Sequence, residues 1–103
     1  MTRDVEITLI SQVKEPDEYG IPQVIREEET TVMATVKSIT ASEFFEAGRN
    51  GFRPEYRFDM FLYDYDGQKE VEYNGVRYTV YRTFMGRSDT VELYVTLKGG
   101  SNG

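Results

Sequence analysis

Val71-Glu72-Tyr73-Asn74-Gly75-Val76-Arg77-Tyr78-Thr79-Val80-Tyr81-Arg82-Thr83-Phe84, with Thr90-Val91-Glu92-Leu93-Tyr94-Val95 a few residues on, decides the fold. Asn74-Gly75 lies between two runs in which apolar and polar residues alternate, and Asn-Gly accepts the positive φ angles of a two-residue hairpin turn better than other common pairs. If that pair is the turn, Tyr73 faces Val76, Glu72 faces Arg77, Val71 faces Tyr78 and Lys69 faces Val80. Asp66-Gly67 reads as a second turn, setting Asp64 opposite Lys69, Leu62 opposite Val71 and Met60 opposite Tyr73. A four-residue loop at 86–89 sets Phe84 opposite Val91, Val80 opposite Val95 and Tyr81 opposite Tyr94. A one-residue slip inverts every side chain, so agreement among three turns predicts a four-stranded antiparallel meander over residues 56–98. Its core face carries Phe58, Met60, Leu62, Val71, Tyr73, Val76, Tyr78, Val80, Phe84, Val91, Leu93, Val95 and Leu97.

Upstream, Val5, Ile7 and Leu9 alternate with Glu6 and Thr8 and predict a first strand over about residues 4–13. Residues 14–22 hold Pro16, Asp17, Gly20 and Pro22 and read as a loop. Val32, Ala34 and Val36 then share one face of a long second strand running to about Ile39, whose first half, with Glu27-Glu28-Glu29, is exposed. Thr40-Ala41-Ser42-Glu43 has capping-box form, and Phe44, Phe45 and Ala47 fill one short helix that Gly48 or Asn50-Gly51 ends. The expectation is a mainly β fold: a small antiparallel six-stranded β-barrel or sandwich, with one short helix in the long excursion between strands 2 and 3. Residues 1–98 form a single domain and residues 99–103 a flexible tail.

Composition narrows the function. The chain has 103 residues, with no cysteine and no histidine. A disulfide framework, thiolate chemistry and the commonest general base and metal ligand are therefore excluded. No nucleophile, base and oxyanion arrangement suggests itself, so no catalytic, cofactor or metal site is expected. Asp64-Tyr65-Asp66-Gly67 resembles the opening of a calcium loop, but Lys69 and Gly75 stand where Gly and Glu are needed. The net charge is -6, with three basic and eight acidic residues in 1–30. Such acidity disfavours tight nucleic-acid binding, though it suits a conduit through which DNA slides. No apolar run has the length of a leader or membrane span, so the chain is expected in a cytoplasm, without a membrane partner, unless an assembly carries it out.

Away from the core face, the meander shows Phe61, Tyr63, Tyr65, Tyr81 and Tyr94, with Arg82 on the nominally apolar face opposite Leu93. Tyr, Met and Arg make up protein interfaces, so Phe61, Tyr63, Tyr65, Tyr81, Arg82 and Tyr94 are candidate subunit contacts. The alternative is a second layer covered by the helix or the N-terminal strands. A different class of function, an OB-like barrel stacking single-stranded nucleic acid on the tyrosines of the rung that aligns Tyr65, Gln68, Tyr81 and Tyr94, is a further alternative.

Ser38-Ile39-Thr40-Ala41-Ser42-Glu43-Phe44-Phe45-Glu46-Ala47, then Gly51-Phe52-Arg53-Pro54-Glu55, Tyr63-Asp64-Tyr65, the Tyr73 to Phe84 run and Val91-Glu92-Leu93-Tyr94 together resemble the head-closure proteins of long-tailed phages and prophages, also called head-tail adaptors or stoppers. The resemblance covers roughly residues 30–98. It implies a barrel subunit in a dodecameric ring beneath the portal or its adaptor, retaining packaged double-stranded DNA and presenting a platform to tail-completion or tail proteins. It further implies a host-cytoplasmic protein during assembly that ends at the head-tail junction of the virion. The channel-reaching excursion of that family maps to residues 40–54, making Phe44, Phe45, Arg49, Asn50, Phe52 and Arg53 candidates for the channel or plug.

Overall fold

The computed structural model describes residues 3–98; the expected tail over 99–103 lies outside the described residues. The elements are β1 (Arg3–Pro16), β2 (Pro22–Lys37), α1 (Ala41–Arg49), β3 (Pro54–Phe61), a 3₁₀ turn (Leu62–Asp64), β4 (Glu70–Tyr73), β5 (Val76–Met85) and β6 (Thr90–Leu97). Six antiparallel strands close one sheet into a barrel in the order β1-β2-β3-β6-β5-β4. The predicted mainly β class, strand count and single helix between strands 2 and 3 are all present.

The hairpin of β1 and β2 pairs from Arg3 opposite Val36 to Pro16 opposite Pro22, with a bulge at Val13/Lys14. Pairing runs further into the expected loop than the prolines suggested, because the Asp17 carboxylate organises a tight tip. It accepts the backbone N–H groups of Tyr19 at 2.8 Å and Ile21 at 2.9 Å, the self-bonding turn that aspartate favours. Only Thr8 to Ile10 of β1 reach β4, and only Ala34 to Lys37 of β2 reach β3. The distal part of the hairpin therefore leaves the barrel as a two-stranded arm.

The helix begins and ends as its sequence predicts. Thr40 Oγ1 accepts the Glu43 backbone N–H at 3.1 Å, and Asn50 closes the last turn before Gly51, whose φ of +83° favours a residue without Cβ. The Glu43 carboxylate does not return to the cap, however. It reaches across to β5.

Two parts of the predicted meander are corrected. The Asn74-Gly75 hairpin has the expected register, with Tyr73 opposite Val76, Glu72 opposite Arg77 and Val71 opposite Tyr78. Strands β3 and β4, by contrast, do not pair across Asp66-Gly67; β3 lies between β2 and β6, and β4 between β1 and β5. Asp64 is thus not opposite Lys69, Leu62 not opposite Val71, and Met60 not opposite Tyr73. Met60 and Tyr73 do both point inward, but inward parity is shared by every strand of a barrel and does not name the neighbour. The 3₁₀ turn ends β3, and the connection crosses the barrel mouth with Leu62 and Tyr65 packed on the core. The Tyr65 hydroxyl donates to the Gln68 carbonyl at 2.7 Å, pinning that crossing.

The second correction is a bulge at Tyr81. Val80 faces Val95 as predicted, but beyond the extra residue Arg82 faces Tyr94, Thr83 faces Leu93 and Phe84 faces Glu92. One inserted residue flips the remainder of the strand. Phe84, expected in the core opposite Val91, is 53% exposed, and Tyr81 is not directly opposite Tyr94. Val76 and Leu97, at strand ends, are also more exposed than the core-face reading gave.

Leu9, Phe58, Val71, Leu93 and Val95 are fully buried at the barrel centre. Phe58 and Tyr73 meet edge to face at 5.3 Å, and Tyr56 sits 5.5 Å from Tyr73 and 5.6 Å from Tyr78 in the same arrangement. Such edge-to-face pairs add to the area they bury. Phe58→Ala is expected to cost about 3–5 kcal/mol in urea unfolding. Phe84→Ala should stay within about 0.5 kcal/mol; equal losses would put Phe84 back in the core.

Candidate interaction surface on the barrel wall

On the outer wall, alternate residues of adjoining strands build a continuous polar girdle. Lys37 of β2 pairs with Asp59 of β3 at 2.9 Å. Asp59 also takes a two-pronged contact from Arg57, at 2.8 and 2.9 Å. The same guanidinium reaches Glu92 of β6 at 2.9 Å, and Glu92 accepts the Tyr94 hydroxyl at 2.6 Å. Arg82 of β5 then lies over the Tyr94 ring, 4.1 Å from its centroid. It passes the chain of contacts to Glu43 of α1, which also accepts the Tyr81 hydroxyl at 2.7 Å. Phe52 stacks on the other side of Tyr81, centroids 4.9 Å apart. Behind α1, Thr96 donates to the Arg53 carbonyl at 2.9 Å, fixing the return into β3.

These contacts set the protonation of the girdle. Burial pushes the carboxyls of Asp59 and Glu43 upward, but the basic side chains prevail: Arg57 and Lys37 bring Asp59 below its ordinary 3.8, and Arg82 with the Tyr81 hydroxyl brings Glu43 below 4.5. Burial and the bond to Glu92 push Tyr94 up to about 12, and burial with Glu43 raises Tyr81 further. Both phenols are neutral at physiological pH. The carboxylates spend their charge on arginine, lysine and phenol within the wall, an arrangement that fastens β2, β3, β6, β5 and α1 together.

The predicted contact residues separate into two settings. Phe61 and Tyr63 are exposed and meet edge to face at 5.3 Å at the end of β3. Tyr65 and Tyr81 are half-buried, Tyr94 is buried, and Arg82 is held between Tyr94 and Glu43. The tyrosine rung is thereby closed: Tyr65 turns to the mouth, Arg82 covers Tyr94 and Phe52 covers Tyr81. Of the excursion residues, Phe44 and Phe45 face outward, Arg49 pairs with Glu46 on its own helix at 3.2 Å, and Asn50 caps the helix while its side chain bonds the Glu46 carbonyl. Phe52 is turned to the wall and Arg53 is exposed. Sequence reading missed Glu43 as the anchor of the helix and missed the Arg57–Asp59–Glu92 cluster. The alternation of Arg57 and Asp59 on β3 was the available signal, but it needed the β3–β6 pairing to bring Glu92 beside them.

No family model, curated protein or solved structure matches the chain.

The lowered carboxyl groups fix the sign of the acid response. Their contribution to stability is complete above the ordinary values of 4.5 for Glu43 and 3.8 for Asp59, and is lost as pH falls through their lower folded-state values. Glu43→Gln should cost about 1 kcal/mol at neutral pH, Arg82 being open to solvent. It should also flatten the fall in urea midpoint on acidification below pH 4.5; an unchanged acid slope would show that Glu43 is not paired in solution.

Proposed function

We propose that the chain is a structural head-closure subunit, a stopper or adaptor of a tailed phage or prophage, forming a ring under the portal that retains packaged DNA and offers the tail its platform. The observation that carries this reading is the distribution of exposed apolar side chains around a rigid barrel. Tyr19, Ile21, Val24 and Ile25 lie at the arm, Phe44 and Phe45 on the helix, and Phe61, Tyr63 and Met85 at the ends of β3 and β5. A ring subunit touches two neighbours and the layers above and below, and so needs several separate contact patches on one body. The ordered sequence resemblance supports the particular assembly.

The excursion has the form a plug requires. Ala47 is the one buried residue of α1, and the wall holds the segment through the Glu43 carboxylate, the Phe52 ring and the Arg53 carbonyl. A segment attached by so few contacts can take a second position when neighbours supply alternative ones. The net charge of -6 suits a channel that passes DNA without holding it. The portal or its adaptor above and a tail-completion or tail protein below would be the partners, with the protein moving from host cytoplasm into the virion.

Replacing residues 41–53 by a short Gly-Ser link tests the reading in particles. Heads should fill but lose their DNA once packaging ends, measured as nuclease-sensitive genome after purification. Filled heads that keep their DNA with the excursion removed would rule out the plug, and heads unaffected by deletion of the whole gene would rule out the connector.

A further inference from the structure

The arm is hard to explain as part of an isolated barrel. Beyond Ile10 and before Ala34 its two strands pair only with each other among the described residues, and a lone two-stranded ribbon is marginal in water. Its tip nevertheless exposes Tyr19 at 80%, with Ile21, Val24 and Ile25 about half exposed. Val24 and Ile25 are neighbours in sequence yet both outward, because the bulge at Val13/Lys14 leaves Ile25 without a partner in the ladder. Exposed apolar side chains gathered toward the tip of a ribbon indicate a surface that another body covers.

Electrostatics selects that body. Residues 11–31 hold two basic and six acidic residues, a balance of -4, with Glu27 held by Arg77 of β5 and Glu28 by Arg26. Two arms pairing through their free β2 edges would bring Glu27, Glu28 and Glu29 against the same residues of the other copy, which like-charge repulsion opposes. The apolar group at Phe61 and Tyr63 has Asp64 and Asp66 beside it in sequence, and the loop bonded to Leu62 adds Asp89 and Arg87, a net acidic balance. The helix is different. Phe44 and Phe45, packed edge to face at 6.0 Å, point to solvent, while the charge beside them comes from Arg49, Arg53 and Arg82 against Glu43 and Glu46, a balance of +1. Glu43 is already spent on Arg82 and Tyr81 beneath, and Glu46 pairs with Arg49, so Arg53 supplies the positive charge that has no ion pair among the described residues. The helix is fastened by its carboxylate and shows its aromatic rings outward, the reverse of an ordinary surface helix.

From this complementarity we propose that the arm of one copy docks on the outward face of α1 of a second copy, with Tyr19, Ile21 and Val24 against Phe44 and Phe45 and the acidic flank of the arm toward Arg49 and Arg53. The contact joins two different surfaces, so it is head-to-tail and repeats from copy to copy, as a ring requires. It rests on the reading of the chain as an assembly subunit, and it names which surfaces meet. It also gives α1 a reason to stay outside the barrel: its apolar face is covered by the neighbour.

The absence of cysteine makes a direct test possible. Ile21→Cys and Phe45→Cys chains are prepared separately, mixed at high concentration and treated with a short bis-maleimide, while mass is followed by sedimentation. Both positions are exposed, and Tyr19→Cys with Phe44→Cys provides a second pair. Mixed links should exceed arm-to-arm and helix-to-helix links by about tenfold, since a held contact raises local concentration over free collision. Arg53→Glu should weaken association about fivefold, and adding Glu18→Arg should restore it. Association without a preference for mixed links would overturn the arm-to-helix contact and leave the subunit reading standing. Absence of any association, in the unmodified chain as well, would overturn both.

Discussion

The barrel depends on a three-residue ladder. Thr8, Leu9 and Ile10 of β1 pair with Glu72, Val71 and Glu70 of β4, and no other pairing joins the first strand to the fourth. Without it the sheet would have two bare edges, and Leu9 and Val71, both fully buried, would face water. Burial of each such side chain is worth about 1.5–3 kcal/mol, so closing the ring secures the core as well as the hydrogen bonds. On its outer side the seam is reinforced by charge: Arg77 reaches both Glu70 at 3.0 Å and Glu27 at 3.1 Å, and Lys98 reaches Glu70 at 2.7 Å. Ile10, out of phase with Ile7 and Leu9, is buried at this seam apart from the main core cluster.

The closed body leaves the rest of the chain free for other work. A girdle of paired charges ties its wall together, and two elements, the arm and the helix, stand outside that wall with apolar groups turned to solvent. Their attachment differs. The arm continues two strands of the barrel and inherits their direction, whereas α1 is held by side chains and can be released by changing a few of them. A protrusion continuous with the barrel and another held by side chains would suit the proposed assembly role.

Much of this was legible in the sequence because turns and alternation are local. Asn74-Gly75 set the β4–β5 register, Thr40 and Asn50 set the helix ends, and the alternation of Val5, Ile7 and Leu9 set the inward face of β1. Partner choice was not legible, because Met60 and Tyr73 would point inward whether β3 lay beside β4 or across the barrel from it. The bulge at Tyr81 left one mark. The run Val76 to Phe84 alternates except at Arg82, which falls on the nominally apolar face, and the pairing with β6 reveals that this misplaced charge follows an extra residue. The same slip concealed the wall site, since Arg82 was read opposite Leu93 when it sits over Tyr94. The helix's anchor was hidden for a related reason: Glu43 satisfies a local capping rule, and its long-range partner on β5 leaves no mark on the sequence around it.

The crossing from β3 to β4 over the barrel mouth bears on how the chain reaches its native state. The β1–β2, β4–β5 and β5–β6 hairpins join neighbouring stretches and can form early, at little entropic expense. The seam between β1 and β4 instead joins the start of the chain to a segment made long afterwards, so it waits on the loop entropy of everything between. Until then the half-built sheet shows the open backbone edges of β1 and β4, and Glu70 and Glu72 along β4 guard one of them against sticking to other nascent chains.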